Sequence, residues 1–429
     1  MPSVAARRLV PALALLCLAG YVFVYATGRA GPPIRSDGFS YFVYLPSWFI
    51  YGDPTLAAVA GDCCGGEFPE FTAIIRWPET GRWVNAHPIG VALMQAPLFL
   101  VAHALTRWTN LSPDGFTLYY QHAAGLSGLV WIVCGLWVLA GLLRRHFSDR
   151  ITMATLIALL FGTNLYHYAT FDPSYSHPYS FFLVAALLDL TERWHASPTA
   201  RHTIALGLVC GLIILTRHTN ILLLAVIPLY TAAARGGSDA LRMFRERWRD
   251  LIVMAAVTVV VVAPQLALYY AATGRPIVSS YGALGFDFGS PHLYGVLFSV
   301  QKGLFFWSPL LLFAVPGLLM LRGPERAFLL PAVVVLAADT YVIGSWWDWQ
   351  FGGSYGHRGF IDLFPLLAPG LAAFFQWSAE RRARLAAITS TCVLAIGLSI
   401  VQMLQYWNGI LPMSDTTWAQ YRAIFLQLR

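Results

Sequence analysis

The chain is a succession of apolar runs joined by short, arginine-bearing connections. Runs long enough to be spanning helices fall at about 9–27, 118–143, 151–169, 250–271, 304–321, 327–345, 359–376 and 386–407. Shorter runs fall at 178–190, 203–216 and 221–233, and the run 89–106 is apolar but carries Gln95 and His103. A helix rises about 1.5 Å per residue, so about 20 residues cross roughly 30 Å of hydrocarbon. The pattern predicts an all-α polytopic membrane protein with about eleven transmembrane helices. Arg7 and Arg8 precede the first run, which is long for a signal-peptide core and is followed by no clean small-x-small site. The first helix is therefore expected to start with its N-terminus in the cytoplasm, in a multi-pass plasma membrane.

The arginines decide how the runs are threaded. With 89–106 excluded as a span, the inside segments hold Arg7, Arg8, Arg144, Arg145, Arg150, Arg193, Arg201, Arg235, Arg242, Arg245, Arg247, Arg249, Arg322, Arg326, Arg381, Arg382 and Arg384, 17 of the 28 cations. Making 89–106 a full span moves every later cluster outside, against the charge bias of cytoplasmic loops. The run is expected to be an interfacial or re-entrant helix on the outer face, with any re-entrant part buried in protein. The same logic splits 203–233 at Arg217, His218, Thr219 and Asn220. Two limbs keep the arginines of 235–249 inside, and each limb is too short to span alone. The polar turn is expected below the outer surface, in a cavity and not in lipid, because an arginine at depth is costly.

Composition agrees. Apolar residues make up 57% and charged residues 11%, against about 25% charged in a soluble domain. A soluble enzyme, a disordered chain and a secreted disulfide scaffold are excluded. The net charge of +7 belongs to topology and calls for no nucleic acid. No phosphate-cradling nucleotide motif lies in the short inside loops. Cys17, Cys134, Cys210 and Cys392 lie in apolar runs and read as packing residues. The adjacent pair Cys63–Cys64 gives little reason to expect a disulfide.

Chemistry-bearing residues collect on the expected outer side. The Gly- and Pro-rich segment 28–88 predicts short helices lying on the membrane, with Asp37 just after the first helix and His87 before Pro88. A later turn carries Asp172 and His177. Lys302, the one lysine of the chain, precedes an apolar run. The segment 346–358 holds Trp347, Asp348, Gly352, Gly353, His357 and Arg358. Its tryptophans suit interfacial anchoring or stacking on sugar faces, and its glycines let backbone approach a ligand. This layout suits an anionic, lipid-borne substrate. Lys302, Arg217 and Arg358 can pair with phosphate, arginine in bidentate fashion, and His177 can donate to it. Asp37 can act as general base on an acceptor hydroxyl, and Asp172 can orient an acceptor. No HExxH or CxxC pattern occurs. The sequence points to no definite cofactor, and Asp37 and Asp172 can share a divalent Mg or Mn ion with phosphate oxygens.

In this order the residues resemble the GT-C superfamily of membrane glycosyltransferases, in particular the bacterial branch with aminoarabinose transferases, protein O-mannosyltransferases and the Rgt-like family. The matching positions are Asp37 opening the first outer loop, Asn85-Ala86-His87-Pro88-Ile89-Gly90, Asp172, the turn Arg217-His218-Thr219-Asn220, the segment Lys302–Pro309, and the Gly-rich run to Arg358. The resemblance implies a GT-C-like bundle with juxtamembrane helices in the first outer loop. It implies a catalytic module at 1–271 and a C-terminal region, 272–429, that completes the lipid-phosphate and acceptor cavity. It also implies transfer of a sugar from a polyprenyl-phosphate donor to a glycan, lipid or protein acceptor on the periplasmic or exoplasmic side of a membrane of the bacterial inner-membrane kind. Asp37 and Asp172 would be catalytic. Lys302, Arg217, Arg358 and His177 would hold the donor phosphate, and His87, His218, Trp347, Asp348 and His357 the substrates. No second carboxylate adjoins Asp37, and the tail 408–429 is too short for a separate soluble domain.

A transporter or flippase of a lipid-linked or anionic solute also uses broken helices around a central site, but no repeat relates the two halves here. A non-catalytic envelope partner is a third class, and it predicts neutral substitutions at Asp37, Asp172 and Arg217. Single cysteines placed at 37, 172, 217 and 302 should react with an impermeant thiol reagent from the periplasmic side only. Labelling from the cytoplasmic side would reverse the topology.

Overall fold

The computed structural model describes residues 4–278 and 284–428, with side chains described from Arg8 onward. The Arg7 side chain and residues 279–283 of the expected outer loop 272–303 lie outside the described residues. The fold is a helical bundle. In chain order its helices are α1 (Val4–Ala26), α2 (Asp37–Phe42), α3 (Tyr44–Phe49), α4 (Ala57–Cys64), α5 (Gly90–Thr106), α6 (Leu118–Leu143), α7 (Asp149–Phe161), α8 (Leu165–Thr170), α9 (His177–Ala196) and α10 (Ala200–Thr216). They continue with α11 (Val226–Arg235), α12 (Gly237–Glu246), α13 (Trp248–Thr273), α14 (Leu293–Phe298), α15 (Leu304–Trp307), α16 (Ala314–Met320), α17 (Leu329–Ser345), α18 (Phe364–Ala379), α19 (Arg382–Trp407) and α20 (Trp418–Ile424). The described β-structure is one small antiparallel pair in the first loop, β1 (Ile74–Arg76) and β2 (Trp83–Asn85), in the register Ile74↔Asn85, with an isolated bridge, Phe286↔Trp346.

Six helical segments among the described residues are long and apolar enough to cross a membrane: Arg8–Ala26, Leu118–Leu143, Trp248–Thr273, Gly323–Ser345, Arg358–Ala379 and Arg382–Trp407. Gly90–Thr106, Ala200–Thr216 and Pro309–Met320 are apolar but shorter. Two of the expected continuous runs are interrupted. The run 151–169 breaks between α7 and α8, where Thr163 turns back onto the Leu159 carbonyl and Gly162 packs against Leu310. The run 304–321 breaks at Ser308-Pro309, because proline cannot continue the helix hydrogen bonding. The split of 203–233 falls where the polar turn lies: α10 stops at Thr216, Arg217 is extended, and a 3-10 turn His218–Ala225 leads into α11.

The segment Arg358–Ala379 is central, with 94% of its apolar window buried inside the fold. The windows of α13 and α19 are only 11% and 17% buried, so their apolar faces look outward. The bundle has two chemically different ends. α6 and α9 end side by side, where Arg145 pairs with Asp189 at 2.8 Å and with Glu192 at 2.5 Å, and His146 meets Glu192 at 2.5 Å. α9 begins at the other end, where the first loop packs. There Gly128 of α6 lies so close to the 171–175 turn that a Cβ would sit 1.7 Å from the Pro173 carbonyl oxygen. A Cβ on Gly38 would sit 2.1 Å from Ser174 Oγ. Only glycine lets the turn carrying Asp172 seat against both α6 and the start of α2.

Cys63 and Cys64 form a disulfide at the end of α4, contrary to expectation. They form the last two residues of α4, and Gly65 and Gly66 carry the reversal that follows at positive φ.

Lys302 is 2% exposed. Its ammonium donates to the carbonyls of Ser354 and Met413, the latter at 2.6 Å, and ties the 346–358 loop to the segment before α20. Burial, and then the like charge of Arg358, push it from an ordinary 10.5 down to about 7. Between those values the unfolded chain holds a proton that the folded chain lacks, so this residue makes stability rise with pH through that window. Lys302→Met should cost about 1–3 kcal/mol at pH 9, where the Ser354 carbonyl loses its donor. The difference should shrink as pH falls towards 7, because the wild type then carries the cost of burying a charge. Thermal unfolding in detergent across that range checks both statements.

Candidate active site

The site is built around one 3-10 turn, Arg358–Leu363, at the head of the central helix α18. Arg358 and Asp362 stand four residues apart on it and reach in different directions. Arg358 Nη1 lies 2.9 Å from Asp37 Oδ2 at the start of α2. Asp362 accepts from Arg217 Nη1 at 3.2 Å and from Asn220 Nδ2 at 3.0 Å, and its other oxygen lies 3.2 Å from His177 Nδ1. Asn220 Nδ2 also donates to Ser180 Oγ. Four elements distant in sequence therefore meet: the first loop, the start of α9, the α10–α11 break and the turn before α18.

An aromatic ring lies between the two arginines. Arg217 stands 5.1 Å and Arg358 6.0 Å from the Phe351 ring centroid, within cation–π range, and Arg358 also lies 5.2 Å from the Tyr175 ring. Phe351 has φ +58, a conformation that a bulky residue rarely adopts without surrounding constraint. Arg358 Nε is buried and has no hydrogen-bond partner among the described residues.

Asp172 forms an adjoining station. One oxygen accepts from Arg35 at 2.6 Å, the other lies 2.9 Å from His167 Nε2, and Trp407 donates to His167 Nδ1 at 2.9 Å. Arg35 also donates to the Phe171 carbonyl. Burial pushes the Asp172 carboxyl up, but Arg35 and His167 hold it well below the usual carboxylate range. Burial opposes ionisation of Asp37 too, and the Arg358 guanidinium outweighs it, so Asp37 is a carboxylate. Its side chain remains 25% exposed, whereas that of Asp172 is 6% exposed.

The other candidate residues are distributed around this cluster. His87 is buried with its ring 4.5 Å from that of Tyr41, and burial pushes it down to about 4. His357 is buried, bonds the Trp349 carbonyl at 2.9 Å, and is pushed by burial to about 3. Both are neutral imidazoles near pH 7. His218 is exposed beside Tyr269. Trp347 is exposed and Asp348 half-buried on the 346–358 loop. Lys302 is engaged with two carbonyls and does not point an open ammonium at the cluster.

A cation shared by Asp37 and Asp172 does not fit. Both oxygens of Asp172 are engaged, and Asp37 faces Arg358. Among the described residues no group of three or more His, Cys, Asp or Glu side chains could hold a metal ion. Three contributors escaped the sequence reading, Asp362, Arg35 and His167, and so did Asp339, a carboxylate buried in α17. For Asp362 and Asp339 the signal was present, a carboxylate inside an apolar run. Arg35 and His167 had no signal beyond residue type.

No protein-family profile and no curated protein sequence matches the chain. Solved structures do. ArnT from Cupriavidus metallidurans in the apo state superposes with a TM-score of 0.56 at 16% identity, over 92% of this chain and 65% of that one. The apo oligosaccharyltransferase of Archaeoglobus fulgidus superposes with a TM-score of 0.54 at 12% identity, over 99% of this chain and 60% of that one. The chain thus spans less than two thirds of the length of either. Likeness at this identity is a likeness of fold alone: the bundle shares its helical fold with these two proteins.

Proposed function

We propose that the protein transfers a sugar from a polyprenyl-phosphate donor to a glycan, lipid or protein acceptor on the outer face of a plasma membrane. In this reading the chain crosses the membrane about eleven times, with the module 1–271 and the region 272–429 both contributing to the cavity. One observation carries the proposal: two arginines flank one aromatic ring, each paired to a carboxylate, at one end of a bundle with the GT-C fold.

Arg358 and Arg217 are the phosphate ligands in this reading. The free Nε of Arg358 offers a donor to a phosphate oxygen without first breaking a bond. As the phosphate takes over Arg358, Asp37 loses its main counter-ion. Its affinity for a proton then rises, because a buried carboxylate without a partner resists ionisation. Asp37 so becomes a better base only when the donor is bound. It takes the proton of the acceptor hydroxyl while that oxygen attacks the anomeric carbon. The bond from that carbon to the phosphate oxygen breaks, and the electron pair leaves with the polyprenyl phosphate, whose growing charge the two guanidiniums meet. A single displacement inverts the anomeric centre. Asp362, His177 and Asn220 fix Arg217, and Arg35 and His167 fix Asp172 for an acceptor or sugar hydroxyl. Lys302 acts on the site through the 346–358 loop.

Asp37→Asn, which keeps shape but cannot accept a proton, should lower transfer from a labelled polyprenyl-phosphate sugar by about a hundredfold or more, with donor retention preserved. Arg217→Gln should weaken donor retention. Wild-type transfer in membranes carrying Asp37→Asn would sink the proposal. Movement of labelled donor across proteoliposomes with no new glycosidic bond would replace it with lipid transport.

A further inference from the structure

The opposite end of the bundle carries a charged cavity. Its volume is about 540 Å³, and its polar lining is His195, Arg235, Asp239, Arg242, Glu246 and Arg247, with Ala196, Pro198 and Met243 between them. It lies where α9 and α11 end and α12 begins. Three arginines face two carboxylates. Arg235 has no carboxylate within ion-pair distance among the described residues, and its Nε instead meets His195 Nδ1 at 3.4 Å. His195 Nε2 is engaged by Thr231 Oγ1 at 2.9 Å. Arg242 reaches Asp239 only at 3.9 Å with its side chain 72% exposed, and Arg247 pairs at 3.6 Å with Asp250, which does not line the cavity. The cavity therefore has guanidinium donors to spare, and Arg245 and Arg249 stand close by in sequence.

The neighbouring surface says which anion reaches it. α12 buries Ala240 and Met243 against the bundle, while Leu241 is 69% and Trp248 53% exposed. Trp248 opens α13, whose apolar window is almost wholly unburied. A lipid-facing helix that begins at the cavity rim puts the rim at the headgroup level, where tryptophan settles. A basic pocket beside such a helix end, next to an amphipathic basic segment, is a headgroup site. We infer that this cavity binds the phosphate of an anionic phospholipid, with its acyl chains lying along α13. The site is separate from the transfer reaction and does not depend on it.

Native mass spectrometry of the full chain in detergent tests the assignment with phosphatidylglycerol against phosphatidylcholine. The wild type should retain phosphatidylglycerol preferentially. Arg235→Gln and Arg242→Gln should each lower that retention about fivefold, while the melting temperature stays near wild type. Arg275→Gln, at the other end of α13, should retain lipid as the wild type does. Millimolar inorganic phosphate should leave the adducts in place, because the acyl chains hold the lipid as well. Equal retention of both lipids, unchanged retention in the two variants or equal loss in Arg275→Gln would overturn the site. Complete displacement by inorganic phosphate would reassign the cavity to a soluble anion.

Discussion

The structure depends on keeping ionised groups paired inside a low-dielectric bundle. Arg358 and Asp362 sit on one turn at the head of the most buried apolar segment. Removing one partner of such a pair costs about 3–5 kcal/mol, because the other is left as an uncompensated charge. Each therefore commits a distant element: Arg358 holds Asp37 and with it the start of the first loop, and Asp362 holds Arg217, Asn220 and His177. The helix break at 217 follows from the same requirement. A continuous helix would carry Arg217 past Asp362 in regular geometry, whereas the extended residue at 217 and the 3-10 turn after it let Arg217 and Asn220 converge on one carboxylate oxygen.

Two charged clusters in the bundle solve the charge problem differently. At the α6–α9 end, Arg145, Asp189, Glu192 and His146 form a compact network whose charges satisfy one another. At the Asp37 end the pairs are spread around an aromatic ring, and one guanidinium nitrogen is left over. A network closed on itself has little to offer a ligand. An open one, held in place by residues such as Arg35, Phe351 and Lys302, keeps its donors aimed before any ligand arrives, which is what charge stabilisation during a reaction requires.

Much of this was legible in the sequence, and what was not has a physical explanation. The all-helical membrane character followed from the apolar runs, and the break at 217 from four polar residues in 31 positions. Continuity of the runs at 162 and 308 was overread, since hydropathy does not register a helix that stops while its residues stay apolar. Asp37, His177 and Arg358 stood out by lying on the expected outer side and Arg217 by interrupting an apolar stretch, and the four side chains meet in one cluster. The same criterion, applied to 359–376, would have found Asp362. Lys302 was the harder case. Its rarity drew attention, but whether an ammonium faces a ligand or a carbonyl depends on loops 52 and 111 residues away in sequence, as its bonds to Ser354 and Met413 show.

An ion pair at the point where a phosphate is proposed to bind has a chemical logic. A lone buried guanidinium would be expensive to maintain, and a lone buried carboxylate would be protonated and useless as a base at neutral pH. Paired, Asp37 and Arg358 each keep the other charged, and the 25% exposure of Asp37 leaves an approach for an acceptor. A phosphate competing for Arg358 need not remove it from a saturated network, because Nε is unengaged. It can share the guanidinium and progressively weaken its hold on Asp37. Donor binding and base activation then become one event, and water reaching the empty site meets a carboxylate whose proton affinity Arg358 is still suppressing. That coupling needs no closing lid, only a contact already present in the ground state.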